Sequence, residues 1–448
     1  MNRYRVAFIS LGCAKNLVNT EQMMALVQEA GHILVEDPAE ADVAVLNTCG
    51  FIDSAKSEAI ENILQLANLK TTGFLRKLIV TGCLPQRYQN EILKELPEVD
   101  GILGTGSYTE IVPAIERAMR DEIPAYFGNI NRTEEEGARL LTTPGYMAYL
   151  KIAEGCSNWC AFCIIPALRG RYRSRPMAAL LEEAGGLAKA GVQELIVIAQ
   201  DITRYGTDWD GKHHLAALLR ALCRIDGFRW IRLHYLYPDD FDDELIDTIA
   251  EEPKILPYLD IPIQHCNDRI LSVMNRRGTK QEIRALFADL RARIPGLVLR
   301  TSLICGLPGE GEEEFEELCA FLNEVKIERA GVFQYSAEEG TPAARMEQQV
   351  PDETAARRVE LIVDLQSRIM DEFNESRLGE IAEVLCEGFD PEAGCFRGRT
   401  YADSPEIDGH VYFTAAGQVP AGSFVPVLIT DTTDDGDLMG EIADCEEE

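Results

Sequence analysis

The sequence predicts an α/β protein in three parts: a parallel α/β sheet domain, a partial, open (β/α)6 barrel, and a small all-β barrel. Three observations carry this reading. Short apolar runs alternate with helix-length amphipathic stretches up to about residue 375, the pattern of parallel strands covered by helices. The alternation is interrupted by the polar stretch 131–137, which reads as a linker. Beyond about residue 380, short strands are divided by Gly, Asp and Pro, as in small barrels. The expected domains are 1–135, 142–375 and 380–448.

In the first part the strand-like runs are Val6-Ala7-Phe8-Ile9-Ser10-Leu11, Val43-Ala44-Val45-Leu46-Asn47 and Lys77-Leu78-Ile79-Val80-Thr81, with helical patterns over 16–30 and 53–69. In the second part six strands are expected to begin near Tyr149, Glu194, Arg229, Tyr258, Leu297 and Gly331. Six β/α units make an open version of the eightfold barrel, whose functional residues sit at the C-terminal strand ends. A charged amphipathic helix over 352–377 leads out of it. The third part shows strands such as Ala382-Glu383-Val384-Leu385-Cys386 and Phe424-Val425-Pro426-Val427-Leu428-Ile429.

Composition narrows the class. A chain of 448 residues that is 46 % hydrophobic and 26 % charged is an ordinary globular protein. It has no apolar run of the roughly 18 residues that span a membrane, and its start runs straight into a strand without signal anatomy. A cytoplasmic location is expected. Thirteen widely spaced cysteines in so large a chain suggest metal-binding or catalytic thiols rather than disulfides. A net charge of −32 argues against a partner held mainly through phosphates and favours a basic one.

The most informative segment is Glu154-Gly155-Cys156-Ser157-Asn158-Trp159-Cys160-Ala161-Phe162-Cys163. Three cysteines in one loop can hold three corners of an iron–sulfur cube, which ordinarily takes four thiolates. The next cysteine is Cys223, so one iron would stay open for a small molecule. The competing readings are buried apolar cysteines or a zinc knuckle, which usually needs a fourth Cys or His close by.

Cys13, Cys49 and Cys83 form a second set by topology. Each directly follows a strand, in Ser10-Leu11-Gly12-Cys13, Asn47-Thr48-Cys49-Gly50 and Thr81-Gly82-Cys83. Successive parallel strands present such loops on one sheet edge, where open α/β sheets bind ligands. Gly12, Gly50 and Gly82 allow close backbone approach there. The alternative is three unrelated buried cysteines. The remaining cysteines read as packing, although Cys266 and Cys305 lie near strand ends and can line the site. Asp239-Asp240 and Asp242-Asp243-Glu244 read as a helix start.

The three-cysteine loop, with an aromatic residue before its last cysteine, resembles the radical S-adenosylmethionine enzymes. The whole chain is similar to one group of them, the methylthiotransferases, which add an N-terminal three-cysteine domain and a C-terminal TRAM domain. Within that group Ser10-Leu11-Gly12-Cys13-Ala14-Lys15-Asn16-Leu17-Val18-Asn19 looks like the branch that modifies a ribosomal protein, with Asn19 where Asp is common. The tRNA-modifying branch tends to show Gln-Met-Asn after that cysteine. The segments 199–206, 258–265 and 399–409 point the same way.

The resemblance implies two [4Fe-4S] clusters, on Cys156, Cys160 and Cys163 and on Cys13, Cys49 and Cys83, together with S-adenosylmethionine. It implies a radical methylthio transfer to the β-carbon of an aspartate in protein twelve of the small ribosomal subunit. It also implies an external electron donor of flavodoxin or ferredoxin type. Phe162, Gln200, His234 and Gln264, at or near the mouth, are the expected further cofactor contacts, and 300–310 is the family's strand-to-loop segment near the cofactor. The alternative is a tRNA adenosine methylthiotransferase of the same architecture. From residue 380 onward 17 acidic residues face two basic ones, so direct tRNA binding is not expected and a basic protein is. If that domain meets the substrate directly, Asp403, Glu406 and Asp408 are the acids expected to do so.

Overall fold

A computed structural model describes residues 3–132 and 137–443. Positions 133–136 of the expected linker, and the acidic end from 444 to 448, lie outside the described residues. The first sheet is parallel, with strands β1 (Arg5–Ser10), β2 (Ile33–Val35), β3 (Val43–Thr48), β4 (Lys77–Gly82), β5 (Gly101–Leu103) and β6 (Ala125–Tyr126) in the order β2-β1-β3-β4-β5-β6. All six residues of β3 are buried, as a run covered by helices on both faces requires. The helices Ala14–Glu29 and Asp53–Thr72 cover this sheet, each starting within two residues of the sequence expectation.

The second sheet contains the six expected strands: β7 (Met147–Lys151), then, beyond the short β8 (Ala153–Glu154) and β9 (Arg173–Ser174), β10 (Glu194–Ile198), β11 (Trp230–Leu233), β12 (Ile255–Asp260), β13 (Val298–Cys305) and β14 (Arg329–Gln334). Their order β14-β13-β12-β11-β10-β7 is all parallel and does not close. Alternate residues pack outward on the helices in the largest core, among them Leu150, Leu195, Ile231, Leu259 and Leu299. Cys266 and Cys305 belong to this outer core and are fully buried. They do not line the site: Cys305 ends β13 on its helix-facing side, and Cys266, in the loop beyond β12, turns its Sγ to Glu317 O of the helix Glu312–Val325.

An open arc leaves its inner face to be covered from elsewhere. On one side the first helix does this: Val18 packs against Met147, Tyr149, Ile196 and Ile198. On the other side the C-terminal barrel does it. That barrel is closed in the order β15-β16-β17-β19-β18, from β15 (Ile381–Asp390), β16 (Cys395–Arg399), β17 (Val411–Thr414), β18 (Phe424–Thr432) and β19 (Leu438–Ile442). The 399–409 segment between β16 and β17 runs into the arc. Leu385 and Ala402 pack on Trp230, Tyr258 and Val298.

Buried charge holds the segment there. Glu194 accepts from Arg232 at 2.8 Å and from Arg399 at 2.6 Å, with all three side chains fully buried. Asp403 pairs with Arg329 at 2.9 Å, and Asp408 accepts from Tyr258 Oη at 2.5 Å. The expectation that Asp403 and Asp408 face a substrate is therefore wrong. Both acids turn inward, where Arg329 compensates Asp403, and Tyr258 and Arg300 attend Asp408; only Glu406 of the three is exposed. Asp242 caps the helix Asp243–Glu251 through Leu245 N, as the sequence suggests. No helix among the described residues is long and apolar enough to cross a membrane.

Removing Glu194 leaves the buried Arg232 without a carboxylate and Arg399 with Glu387 alone, so Glu194→Ala should cost about 3–5 kcal/mol. Glu383→Ala, which breaks an exposed pair with Arg229, should cost less than about 1 kcal/mol. Burial raises the Glu194 pKa, but Arg399 and Arg232 outweigh it and hold the group below its usual range. Its contribution is complete above an unfolded carboxylate pKa of about 4.3 and is lost as pH falls through the lower folded value. Urea unfolding of both variants across pH checks the contrast.

Candidate functional site

The cysteine loop follows β7 and is pinned at both ends. Its root, β8, pairs antiparallel with β9. Cys156 N donates to Gly170 O at 3.1 Å. Gly155 has φ +80°, and a Cβ there would strike the carbonyls of Gly170 and Arg171, so only glycine fits this turn. Cys163 N donates to Cys160 O at 3.0 Å, which folds the last two cysteines back on each other. Burial pushes the Cys156 thiol up to about 11, and Asp201 and Cys160 add to it. Burial likewise raises Cys163, with Cys160 and Cys156 contributing. Arg276 Nη1 lies 3.5 Å from Cys160 Sγ and Tyr237 Oη lies 3.9 Å away, with Arg276 stacked on the Tyr237 ring.

The second set converges as the topology predicts. β1, β3 and β4 are neighbours and end together, Ser10 opposite Asn47 and Thr48 opposite Gly82. A Cβ on Gly12 would come within 2.8 Å of Cys49 Cβ, and one on Gly50 within 2.9 Å of the Leu84 backbone. One side chain ties the three loops. Asn16 Nδ2 donates to Leu11 O at 3.1 Å and to Thr48 O at 3.0 Å, and Asn16 Oδ1 lies 4.0 Å from Cys83 Sγ. Burial pushes Cys49 up to about 11, with Cys83 and Cys13 adding. Cys13 behaves differently: burial raises its pKa, but Lys15 and Arg169 bring it below the ordinary thiol value. Cys13 is exposed by surface area, yet protein crowds it closely enough for burial to weigh on it. A residue on the wall of an internal cleft has both properties.

The two sets approach one seam: Cys83 packs against Ile164 and Leu168, just beyond Cys163. Lys15 Nζ sits 3.0 Å from the centre of the Tyr235 ring, beyond the end of β11. Burial lowers the Lys15 pKa to about 8. Arg169, at the end of the helix Ile165–Arg169, donates from Nη1 to Glu154 Oε2 at 2.8 Å and from Nη2 to Asn16 Oδ1. Glu154 also receives Lys151 Nζ at 3.1 Å and Gln200 Nε2 at 2.8 Å. At the rim, Glu338 clamps Lys56 at 2.9 Å and Arg87 at 2.6 Å, and Arg87 also holds Gly50 O.

The donor set fits iron–sulfur clusters. Each set offers three thiols that sense one another, with no fourth cysteine in its loops. Among the described residues no three His, Cys, Asp or Glu are arranged to hold one metal ion. A single zinc ordinarily takes four protein ligands at a structural site, whereas a cube takes its thiolates on separate corners. Gln200 Oε1, beside Glu154, is buried without a partner, an acceptor left for a ligand.

The other sequence candidates divide. Phe162 is half-buried, packed beside Ala161, Ile270 and Leu307. Gln264 lies four residues beyond β12 at φ +69°, and its backbone bridges to Leu303 of β13. His234 is buried, and its Nε2 meets Ser404 Oγ of the C-terminal segment at 2.9 Å. Sequence reasoning missed Asn16, Arg169, Arg276 and Tyr237. Only Arg169 left a signal, a basic run Arg169-Gly170-Arg171-Tyr172-Arg173 in an acidic chain.

Family models agree with this layout. The uncharacterized protein family UPF0004 matches residues 5–104, the radical SAM superfamily residues 150–322, and the TRAM domain residues 378–443. A radical S-adenosylmethionine methyltransferase, TsrM from Kitasatospora setae, has the same fold with TM-score 0.58 at 13 % identity, covering 86 % of this chain and 79 % of that one. Fold and site thus define a radical S-adenosylmethionine enzyme, a class that works with this cofactor and a [4Fe-4S] cluster. Among its relatives, a ribosomal protein uS12 methylthiotransferase RimO from Thermoanaerobacter sp. (strain X514) is 48 % identical, over 97 % of this chain and 99 % of that one. The protein of the same name from Geobacter sulfurreducens is 48 % identical over 98 % of each. The chain belongs to the RimO family of methylthiotransferases.

Asn16→Ala should leave the Leu11 and Thr48 carbonyls without their side-chain donor, at about 1–3 kcal/mol for the unsatisfied groups. Asn62→Ala, whose amide bonds Glu58 O on an exposed helix face, should stay within about 0.5 kcal/mol. Thermal midpoints of the metal-free proteins compare the two.

Proposed function

We propose that this chain transfers a methylthio group to the β-carbon of an aspartate in ribosomal protein uS12, using two [4Fe-4S] clusters and S-adenosylmethionine. The observation that carries the reading is the pair of three-thiol sets at the C-terminal edges of two parallel sheets, meeting at one seam. The names of the relatives favour uS12 over tRNA as substrate. In this reading Cys156, Cys160 and Cys163 hold one cluster and Cys13, Cys49 and Cys83 the other. When bound, the clusters and S-adenosylmethionine supply the one-electron chemistry, the sulfur and the methyl group that side chains cannot.

The chain's own residues bind, orient and exclude. Glu154, fixed by Lys151 and Arg169, sets the root of the radical loop. Gln200 offers its spare Oε1, and Arg276 faces Cys160. Phe162 and its apolar neighbours keep water from the back of the loop, and Lys15 with Tyr235 closes the cleft between the domains. Such positioning is what the protein adds to a reaction on an unactivated carbon. The acidic surface steers a basic protein by long-range attraction, which speeds encounter and weakens with salt. An external flavodoxin- or ferredoxin-type donor supplies the electron, and the ribosomal substrate implies work in the cytoplasm.

Anaerobic reconstitution should load roughly four irons per three-cysteine set, and the Cys156, Cys160 and Cys163 triple alanine variant should lose half of them. Cys160→Ala should abolish 5′-deoxyadenosine formation. Cys49→Ala should keep it while uS12 gains no methylthio group by intact mass. A Cys49→Ala protein that still modifies uS12 removes the second cluster from the account.

A further inference from the structure

The barrel contributes a charged residue to the other domain's thiol set. Arg169 is 4 % exposed and lies within the radical domain, yet its guanidinium reaches across the seam. One nitrogen bonds Glu154, two residues before Cys156, and the other bonds Asn16 Oδ1. Asn16 in turn holds the loops of Cys13 and Cys49 and lies beside Cys83 Sγ. Through that shared Asn16 Oδ1 the guanidinium lies against the Cys13, Cys49 and Cys83 set.

Glu154 already has Lys151 as a buried partner, so neutralising that carboxylate does not require Arg169. A guanidinium forked between the two sets, whose N-terminal partners are the Asn16 amide and the Cys83 thiol, is surplus positive charge at a site that gathers thiolates. Ionised thiolates and any electron added to them are stabilised by such a charge in a medium of low dielectric.

We infer that Arg169 is a positioning residue that spans both cysteine sets, fixing their separation and stabilising negative charge on the Cys13, Cys49 and Cys83 set. The inference rests on the proposal that this set holds a cluster.

The test uses the full chain with Cys156, Cys160 and Cys163 replaced by Ala, so that only the N-terminal set loads. Iron content and the midpoint potential from an EPR-monitored titration are read for Arg169→Gln, for Arg169→Lys and for a control, Arg171→Gln, at an exposed site. Losing the charge should move the potential to a more negative value in Arg169→Gln. Arg169→Lys should restore most of the shift, and Arg171→Gln should leave the potential unchanged. A merely structural role would not separate Gln from Lys in this way. If Arg169→Gln titrates with the control, the inference is wrong. If Arg169→Gln fails to load and Arg169→Lys loads normally, the charge role stands. Failure of both to load leaves Arg169 a packing element and overturns it. No iron in the parent triple variant would instead refute the second cluster itself, which keeps the two failures distinct.

Discussion

Six parallel strands form an arc too short to close on itself, and its inner face must be covered by something outside the sheet. Eight strands fill their own lumen with layered side chains; this arc instead presents Lys151, Glu194, Arg232, Tyr258, Asp260 and Arg300 along its concave side. Burying such groups without partners would cost several kcal/mol each. The remaining domains answer that need. The first helix brings Val18 and Lys15 from the N-terminal side, and the 399–409 segment brings Arg399, Asp403, Ser404 and Asp408 from the C-terminal side. The three domains therefore form one interlocked unit, with the cleft left at the C-terminal ends of the strands.

That arrangement gives the C-terminal barrel a structural task. Its 399–409 segment resembles the protein-modifying branch, but Asp403 and Asp408 in it complete the interior of the arc. Substrate attraction then falls to acids on the outer surface. The charge of the chain as a whole, −32, still favours a basic partner, and the inward pairs subtract little from it.

Much of this was legible in the residues. Strand ends identified Cys13, Cys49 and Cys83 as neighbours because parallel strands must end on one edge. The β/α alternation set all six strands of the arc within a few residues. What the sequence left obscure was which distant groups would meet. Strand parity points His234 inward without saying that Ser404 is there to receive it. A run of acids reads as surface until Arg329 and Arg300 are seen beside it. Cys266 and Cys305 looked close to the site by their place near strand ends, but strand alternation turns Cys305, and the loop beyond β12 turns Cys266, to the helices. Asn16 and Arg169 are separated by more than a domain's length of chain, and no spacing rule connects them.

The central claim is that these two cysteine sets act together on a protein rather than on RNA. The most direct measurement offers uS12 and tRNA to the reconstituted enzyme in one anaerobic reaction, with mass spectrometry of both. The account predicts a methylthio group on an aspartate of uS12 and unmodified nucleosides. Methylthiolated nucleosides beside an unmodified uS12 would contradict it.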